Sequence, residues 1–92
     1  MTAAAPSLTR EPATREETTE LGRAGVLAWA AANDATVRLF YRKADAESVE
    51  IRTVTPIAVR QSTGRGRYVV AFDQVRHARR TFLLSRIEGV VL

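Results

Sequence analysis

The sequence predicts one α+β domain, an N-terminal helix packed on a small, strongly bent antiparallel β-barrel. Three observations carry that reading. The chain has 92 residues of which 46% are hydrophobic, enough to fill one small core and too little for a second domain. Its apolar period is helical up to Asp34 and two-residue afterwards. It contains no cysteine, so neither disulfides nor a thiolate metal site can compensate for a small core, and stability has to come from packing.

Residues 1–15 (MTAAAPSLTREPATR) combine Ala, Thr, Pro and charge with no apolar period, so burial cannot repay the entropy of ordering them. They are expected to be a disordered tail, with the domain proper over 16–92. A helix is expected over about 16–33, where Leu21, Gly25, Leu27, Ala28 and Ala32 fall at helical spacings and Val26 and Trp29 widen the stripe. Thr14 followed by Glu17 fits a capping box, and Glu16, Glu17 and Glu20 suit the positive end of a helix dipole. Asn33 and Asp34 stop the helix. Gly22 and Gly25 each weaken it by about 1 kcal/mol relative to Ala, so packing through Leu21, Leu27 or Trp29 must hold it in place.

From Thr36 to Arg42 the two-residue period turns Val37, Leu39 and Tyr41 inward and Arg38 and Arg42 outward, with Phe40 interrupting the polar side. Lys43 to Ser48 reads as a turn. The long strand that follows puts Val49, Ile51, Thr53, Thr55, Ile57 and Val59 on one face and Glu50, Arg52, Val54 and Pro56 on the other. Pro56 has no N–H to give to a ladder, so the strand must bend or leave the sheet edge there. Gln61 to Gly66 is a hairpin loop with two glycines free to take positive φ. Arg67–Asp73 and Arg79–Leu84 form the next hairpin through Gln74 to Ala78, and Gly89–Leu92 adds a short closing strand. Four or five short antiparallel strands after one helix outline a small bent barrel.

The formal charge of +4 is unevenly spread. Met1 to Asp34 holds three arginines against five acids, a net of −2, whereas Ala35 to Leu92 holds eleven Lys and Arg against five acids, a net of +6. From Arg60 to Arg86 there are seven arginines and one acid, Asp73. Guanidinium groups grip phosphate or carboxylate through a planar bidentate fork, so a β-surface this rich in them suits an anionic partner. The same charge also serves simply as a solubilising surface.

Other chemistry is thin. The longest nearly apolar run, Ala24 to Ala32, is about half of what crosses a bilayer, and no signal-peptide pattern opens the chain, so the expectation is a cytoplasmic protein with no membrane partner. His77 is the single histidine and has no partner ligands of the usual kind, so no metal or other cofactor is expected. Ser48, Ser62 and Ser85 sit in no nucleophile motif. Gly64 and Gly66 lie in a hairpin with no helix after it, which removes the phosphate-cradling geometry of a Gly-rich loop. Binding, not catalysis, is the expected activity.

The run VRLFYRKADAESVEIRTVTPIAV, followed by GRYVVAFD and RRTFLLSRI, resembles the WYL domain. Its usual form has a helix, an FxYR strand, a V-x-P strand, a W-Y-L-x-A-Y-D strand and an R-x-F-x-x-x-R-I end. The resemblance covers about Leu21 to Leu92. It implies an Sm-like, SH3-type β-barrel that serves as a ligand-sensing module of bacterial transcription regulators and of some phage-defence and helicase proteins, with nucleic acid or nucleotide-like molecules as ligands. The chain departs from the pattern at the signature triplet, which is Arg67-Tyr68-Val69, so the family's tryptophan is an arginine. Leu83 stands where the family often has arginine, and Ser85 where an acid follows. Most WYL proteins carry an upstream helix-turn-helix, for which these residues leave no room, so a stand-alone domain is expected.

By matching positions, the resemblance makes Arg80 and Arg86 the basic positions of the ligand surface and Tyr41 and Tyr68 its motif aromatics. Arg67 and Arg79 add charge beside them. A tyrosine face stacks on a base for about 1–3 kcal/mol. Each residue also has a structural alternative. Tyr41 and Phe72 lie on the inward period and suit a core, Tyr68 shares the parity of Phe72, and Arg80 and Arg86 have Asp73 and Glu88 as possible ion-pair partners. Trp29 suits a packing anchor between helix and barrel. The expected function is a non-catalytic regulatory module that binds single-stranded nucleic acid or a nucleotide-like anion. With no output domain, it would act through a partner protein or by homo-oligomerisation. The rival is an adaptor whose barrel docks an acidic protein surface and takes no small ligand.

Overall fold

A computed structural model describes residues 19–92. Helix α1 (Glu20–Ala32) begins where Thr19 takes an extended backbone and its hydroxyl accepts the Gly22 N–H at 3.0 Å. The cap is therefore Thr19; the expected capping box of Thr14 and Glu17 lies outside the described residues, as does the expected tail over 1–15. Asn33 closes the helix, with its backbone N–H and its side-chain amide both donating to the Trp29 carbonyl. The face turned to the core carries Arg23, Val26, Leu27 and Ala30. Trp29 packs against the core from the side of that face. Leu21, expected to help hold the helix, is 71% exposed, and the fully buried Leu27 takes that role.

Five strands follow, β1 (Val37–Tyr41), β2 (Glu50–Ser62), β3 (Gly66–Asp73), β4 (Ala78–Leu83) and β5 (Ile87–Val91). They form one antiparallel sheet in the order β4-β3-β2-β1-β5. The two edge strands, β4 and β5, are consecutive in the chain and joined by a single 3-10 turn, Leu84–Arg86. So short a link reaches from edge to edge only if the sheet curls strongly. Among the described residues no ladder joins β4 to β5, so the predicted helix-on-sheet α+β class holds while the barrel stays open along one seam.

β2 is long enough to bend between two neighbours, pairing β1 with its first half and β3 with its second. Its buried side chains are Arg52, Val54 and Pro56. At Pro56, which cannot donate to the ladder, the register with β3 shifts by one residue before Ala58. The bulge puts Ile57 on the surface and returns Val59 to the core side, opposite Val69. Val59 therefore does not share the face of Ile51 and Ile57, as unbroken alternation predicted. In β3 the buried set is Val69, Ala71 and Asp73, which leaves Tyr68, Val70 and Phe72 on the outer face. Phe72, expected inward, is half-buried there, with its ring edge-on to His77 at 6.4 Å between centroids.

The core joins Val26, Leu27 and Ala30 of α1 to Val37, Leu39, Val54, Val69, Phe82, Leu84, Ile87 and Val90 of the sheet and turn. A charged pair is buried beside it. Arg52, 5% exposed, donates to fully buried Asp73 at 3.1 Å and to Glu50 at 2.8 and 3.0 Å, and lies 5.9 Å from the Phe82 ring centroid. The second Asp73 oxygen accepts the backbone N–H groups of Val75 and Arg76, both at 3.0 Å, which shapes the β3–β4 turn. Burial works against the Asp73 charge, but these two N–H groups and the Arg52 guanidinium outweigh it and hold the carboxyl below its ordinary pKa.

Candidate functional site

The ends of the hairpins converge on one groove of about 390 Å³, lined by Tyr41, Ser62, Arg65, Tyr68, Thr81, Leu83 and Arg86. Three of these share a face by register, because Tyr68 lies opposite Leu83, and Thr81 lies opposite Val70 one pleat along. The 3-10 turn brings Arg86 to the same place, and its carbonyl is tied to β1 by the Arg42 N–H at 3.0 Å. Leu84, fully buried, anchors the turn from below and accepts from the Arg23 guanidinium at 3.3 Å. Tyr41 reaches the groove from β1 with 8% of its surface exposed, its ring edge set against Phe82 at 5.1 Å and 80°. It is thus both a core side chain and a groove side chain.

Arg65 is placed by the β2–β3 turn. The Ser62 hydroxyl donates to the Gly66 carbonyl at 3.1 Å and accepts the Arg65 N–H at 3.3 Å. Gly64 at φ 94° and Gly66 at φ 82° supply the left-handed backbone that lets the chain reverse within so few residues.

The electrostatics favour an anion. Among the described residues Arg65 and Arg86 make no ion pair and no carboxylate lines the groove. The nearest acid in sequence to Arg86, Glu88, is held by Arg42 through contacts of 2.5 and 3.3 Å, which lowers the Glu88 pKa and raises that of Arg42. Glu88 is therefore occupied elsewhere. Beside the apolar Leu83, the groove lining carries two guanidinium groups, two phenols and the Thr81 and Ser62 hydroxyls, the last already donating to Gly66, so the polar side of the lining is rich in hydrogen-bond donors.

The structure divides the predicted site residues between two faces. Tyr68 and Arg86 meet in the groove. Arg79 shares the face of Tyr68 but stands further along β4, opposite Phe72. Arg67 and Arg80 are on the other face: Arg67 lies beside α1, 3.8 Å from Glu20, and Arg80 lies opposite buried Ala71 at the sheet edge. The alternative ion-pair partners of Arg80 and Arg86 are taken by others, Asp73 by Arg52 and Arg76 and Glu88 by Arg42. Ser62, Arg65, Thr81 and Leu83 were missed by sequence reasoning. Thr81 and Leu83 were within reach of it, since pairing β3 with β4 puts them on the face of Tyr68. Arg65 needed the turn geometry.

Among the described residues no group of three or more His, Asp or Glu side chains could hold a metal ion. No described helix is long and apolar enough to cross a membrane.

Comparison with known proteins adds three findings. A family model described as WYL domain matches residues 24–92. No curated protein matches. Among solved structures, proteasome accessory factor B/C (PafBC) of Arthrobacter aurescens is similar with a TM-score of 0.70 at 20% sequence identity, over 85% of this chain and 12% of that one. That likeness is one of fold, and this chain spans about an eighth of the other protein's length.

Proposed function

The chain belongs to the WYL domain family, and on that premise we propose that it is a non-catalytic regulatory module which senses a nucleotide-type anion in the groove between β3, β4 and the 3-10 turn. The observation that carries the reading is the pairing of two guanidinium groups, Arg65 and Arg86, that no carboxylate among the described residues neutralises, with the ring of Tyr68. A guanidinium grips phosphate oxygens through two parallel N–H bonds, and a tyrosine face stacks on any base. The volume is in the range of small-ligand sites, about 300–1,000 Å³.

The altered signature triplet bears on this reading through parity. Arg67, which stands at the family's tryptophan, turns to the helix side and meets Glu20, while Tyr68 turns to the groove. The substitution therefore changes the surface beside α1 and leaves the ligand pocket with its ring. Arg80, on the far face, contributes to the long-range positive field and not to direct contact.

The test is fluorescence anisotropy with a labelled thymidine oligonucleotide. Binding should weaken with salt with a log–log slope of about −0.7 per phosphate neutralised. It should fall in Arg65→Ala, Arg86→Ala and Tyr68→Ala. No binding at low salt, or binding indifferent to salt, would overturn the proposal. Displacement by polyglutamate and not by nucleotides would favour the adaptor for acidic proteins.

A further inference from the structure

The sheet leaves one edge in the open. β4 ends the strand order, and no ladder runs along its free side among the described residues. Ala78, Arg79, Arg80 and Thr81 are all exposed, and the pairing of β4 with β3 runs through its six residues without a bulge, so the strand presents a continuous edge. The opposite edge differs. β5 meets β1 across an irregularity at Phe40 and Tyr41, and its one carboxylate, Glu88, is engaged by Arg42.

In an antiparallel ladder every second residue turns both its N–H and its C=O to the same neighbour, so the free side of β4 offers donors and acceptors in alternation. A phosphate chain brings acceptors and would leave those carbonyls without donors, whereas a peptide backbone matches both. Side chains then decide which peptide. Arg79 and Arg80 make no ion pair among the described residues, and as neighbours on a strand they point to opposite faces of the sheet. A second β4 would bring four guanidinium groups onto one short ladder, and an apolar strand would cover two of them with no counterion. Two consecutive carboxylates neutralise both.

We infer that β4 is a docking edge for an extended acidic segment of a partner protein, which adds as a further antiparallel strand with two consecutive carboxylates opposite Arg79 and Arg80 and a β-branched residue opposite Thr81. Antiparallel addition continues the sense of every existing ladder and is the more stable pairing per residue. Six residues of strand span about 20 Å, enough for such a segment. The inference does not depend on the groove, whose lining includes neither arginine.

The experiment titrates the full chain with a fluorescein-labelled hexapeptide, Thr-Val-Glu-Glu-Val-Thr, and with two versions of it N-methylated at alternate residues. The parent peptide should bind. One methylation pattern should weaken it about tenfold or more and the other should leave it nearly unchanged, because a single set of N–H groups faces β4. The double variant Arg79→Glu/Arg80→Glu should lose about tenfold or more for the acidic peptide and prefer Thr-Val-Lys-Lys-Val-Thr, while Arg65→Ala should bind the acidic peptide as the wild type does. Hydrogen exchange of the amides over 78–82 should slow in the complex. No binding of the parent peptide, equal loss from both methylation patterns, or equal binding of hexaglutamate would overturn the inference, the last because charge alone would then suffice. Sedimentation showing self-association that the peptide disrupts would also overturn it, since the edge would then belong to a second copy.

Discussion

Replacing Asp73 with alanine should remove a large part of the folding free energy, although the residue does not line the proposed ligand groove. Its carboxylate is fully buried and satisfies three donors, Arg52 at 3.1 Å and the Val75 and Arg76 N–H groups at 3.0 Å. Deleting it leaves Arg52, 5% exposed, with Glu50 as its remaining carboxylate among the described residues. Breaking one side of a buried pair costs about 3–5 kcal/mol, and the bond to Glu50 puts this case near the lower end. The two N–H groups of the turn are closer to solvent, so their loss adds about 1 kcal/mol together. The total is about 4 kcal/mol, against the roughly 5–14 kcal/mol expected for a domain of this length. Urea unfolding followed by the single tryptophan, Trp29, gives the number directly. Asp73→Asn should cost less, about 2–3 kcal/mol, because one amide oxygen can still accept from the turn. Combining either change with Arg52→Met should recover part of the loss, since no unpaired guanidinium then remains buried. Should Asp73→Ala unfold within 1 kcal/mol of the wild type, the buried pair would be energetically idle and the account of the turn wrong.

The same pair sets an acid limit. Asp73, Glu50 and Glu88 all have folded pKa values below their ordinary ones, so the stability they contribute is complete above the unfolded carboxylate pKa and is lost as pH falls through the folded values. Melting curves between about pH 5 and pH 2 should therefore show a steep decline that is shallower in Asp73→Asn. Leu27→Ala, at a fully buried position of α1, should cost about 2–5 kcal/mol by denaturant unfolding. Arg80→Ala and Arg86→Ala should both leave stability within about 0.5 kcal/mol, yet Arg86→Ala should lower affinity for a phosphorylated ligand by about tenfold or more while Arg80→Ala leaves it nearly unchanged. Equal losses in the two would contradict the division between faces.

Much of this fold is legible in the sequence because each element carries its own local signal. The apolar period from Leu21 to Ala32, the alternation of Val37, Leu39 and Tyr41, and the glycines of the Gln61–Gly66 turn all lie where the structure puts a helix, a strand and a reversal. The misjudged features depend on partners far along the chain. Nothing local says that Arg52 is buried, since its partner Asp73 is 21 residues away. The one-residue shift at Pro56 then inverts the parity on which Val59 was placed. For the candidate site, charge density points to the hairpins that line the groove but does not tell one face of the sheet from the other. Arg67 and Tyr68 are neighbours on one strand, as are Arg79 and Arg80, and neighbours on a strand point in opposite directions. A site that contained both members of either pair on one surface was therefore excluded by the two-residue period itself. Arg65, one of the seven arginines counted over 60–86, lies in a turn, so no period says which face it joins.

The short link between the two edge strands also dictates the order in which this chain can complete itself. β2, β3 and β4 pair with their sequence neighbours through tight turns, so their ladders cost little loop-closure entropy. β1 pairs on one side with β2 and on the other with the C-terminal β5, some fifty residues downstream, as in Leu39 opposite Val90. That contact is the most distant in the sheet and the last available to a chain made from its N-terminus. Until Ile87–Val91 has been synthesised, one edge of β1 stays unpaired and Arg86 has no strand beyond it to fix the 3-10 turn. The residue proposed to grip phosphate is thus set in place by the pairing of β5 with β1, so on the proposed reading the groove is complete only when that ladder has formed.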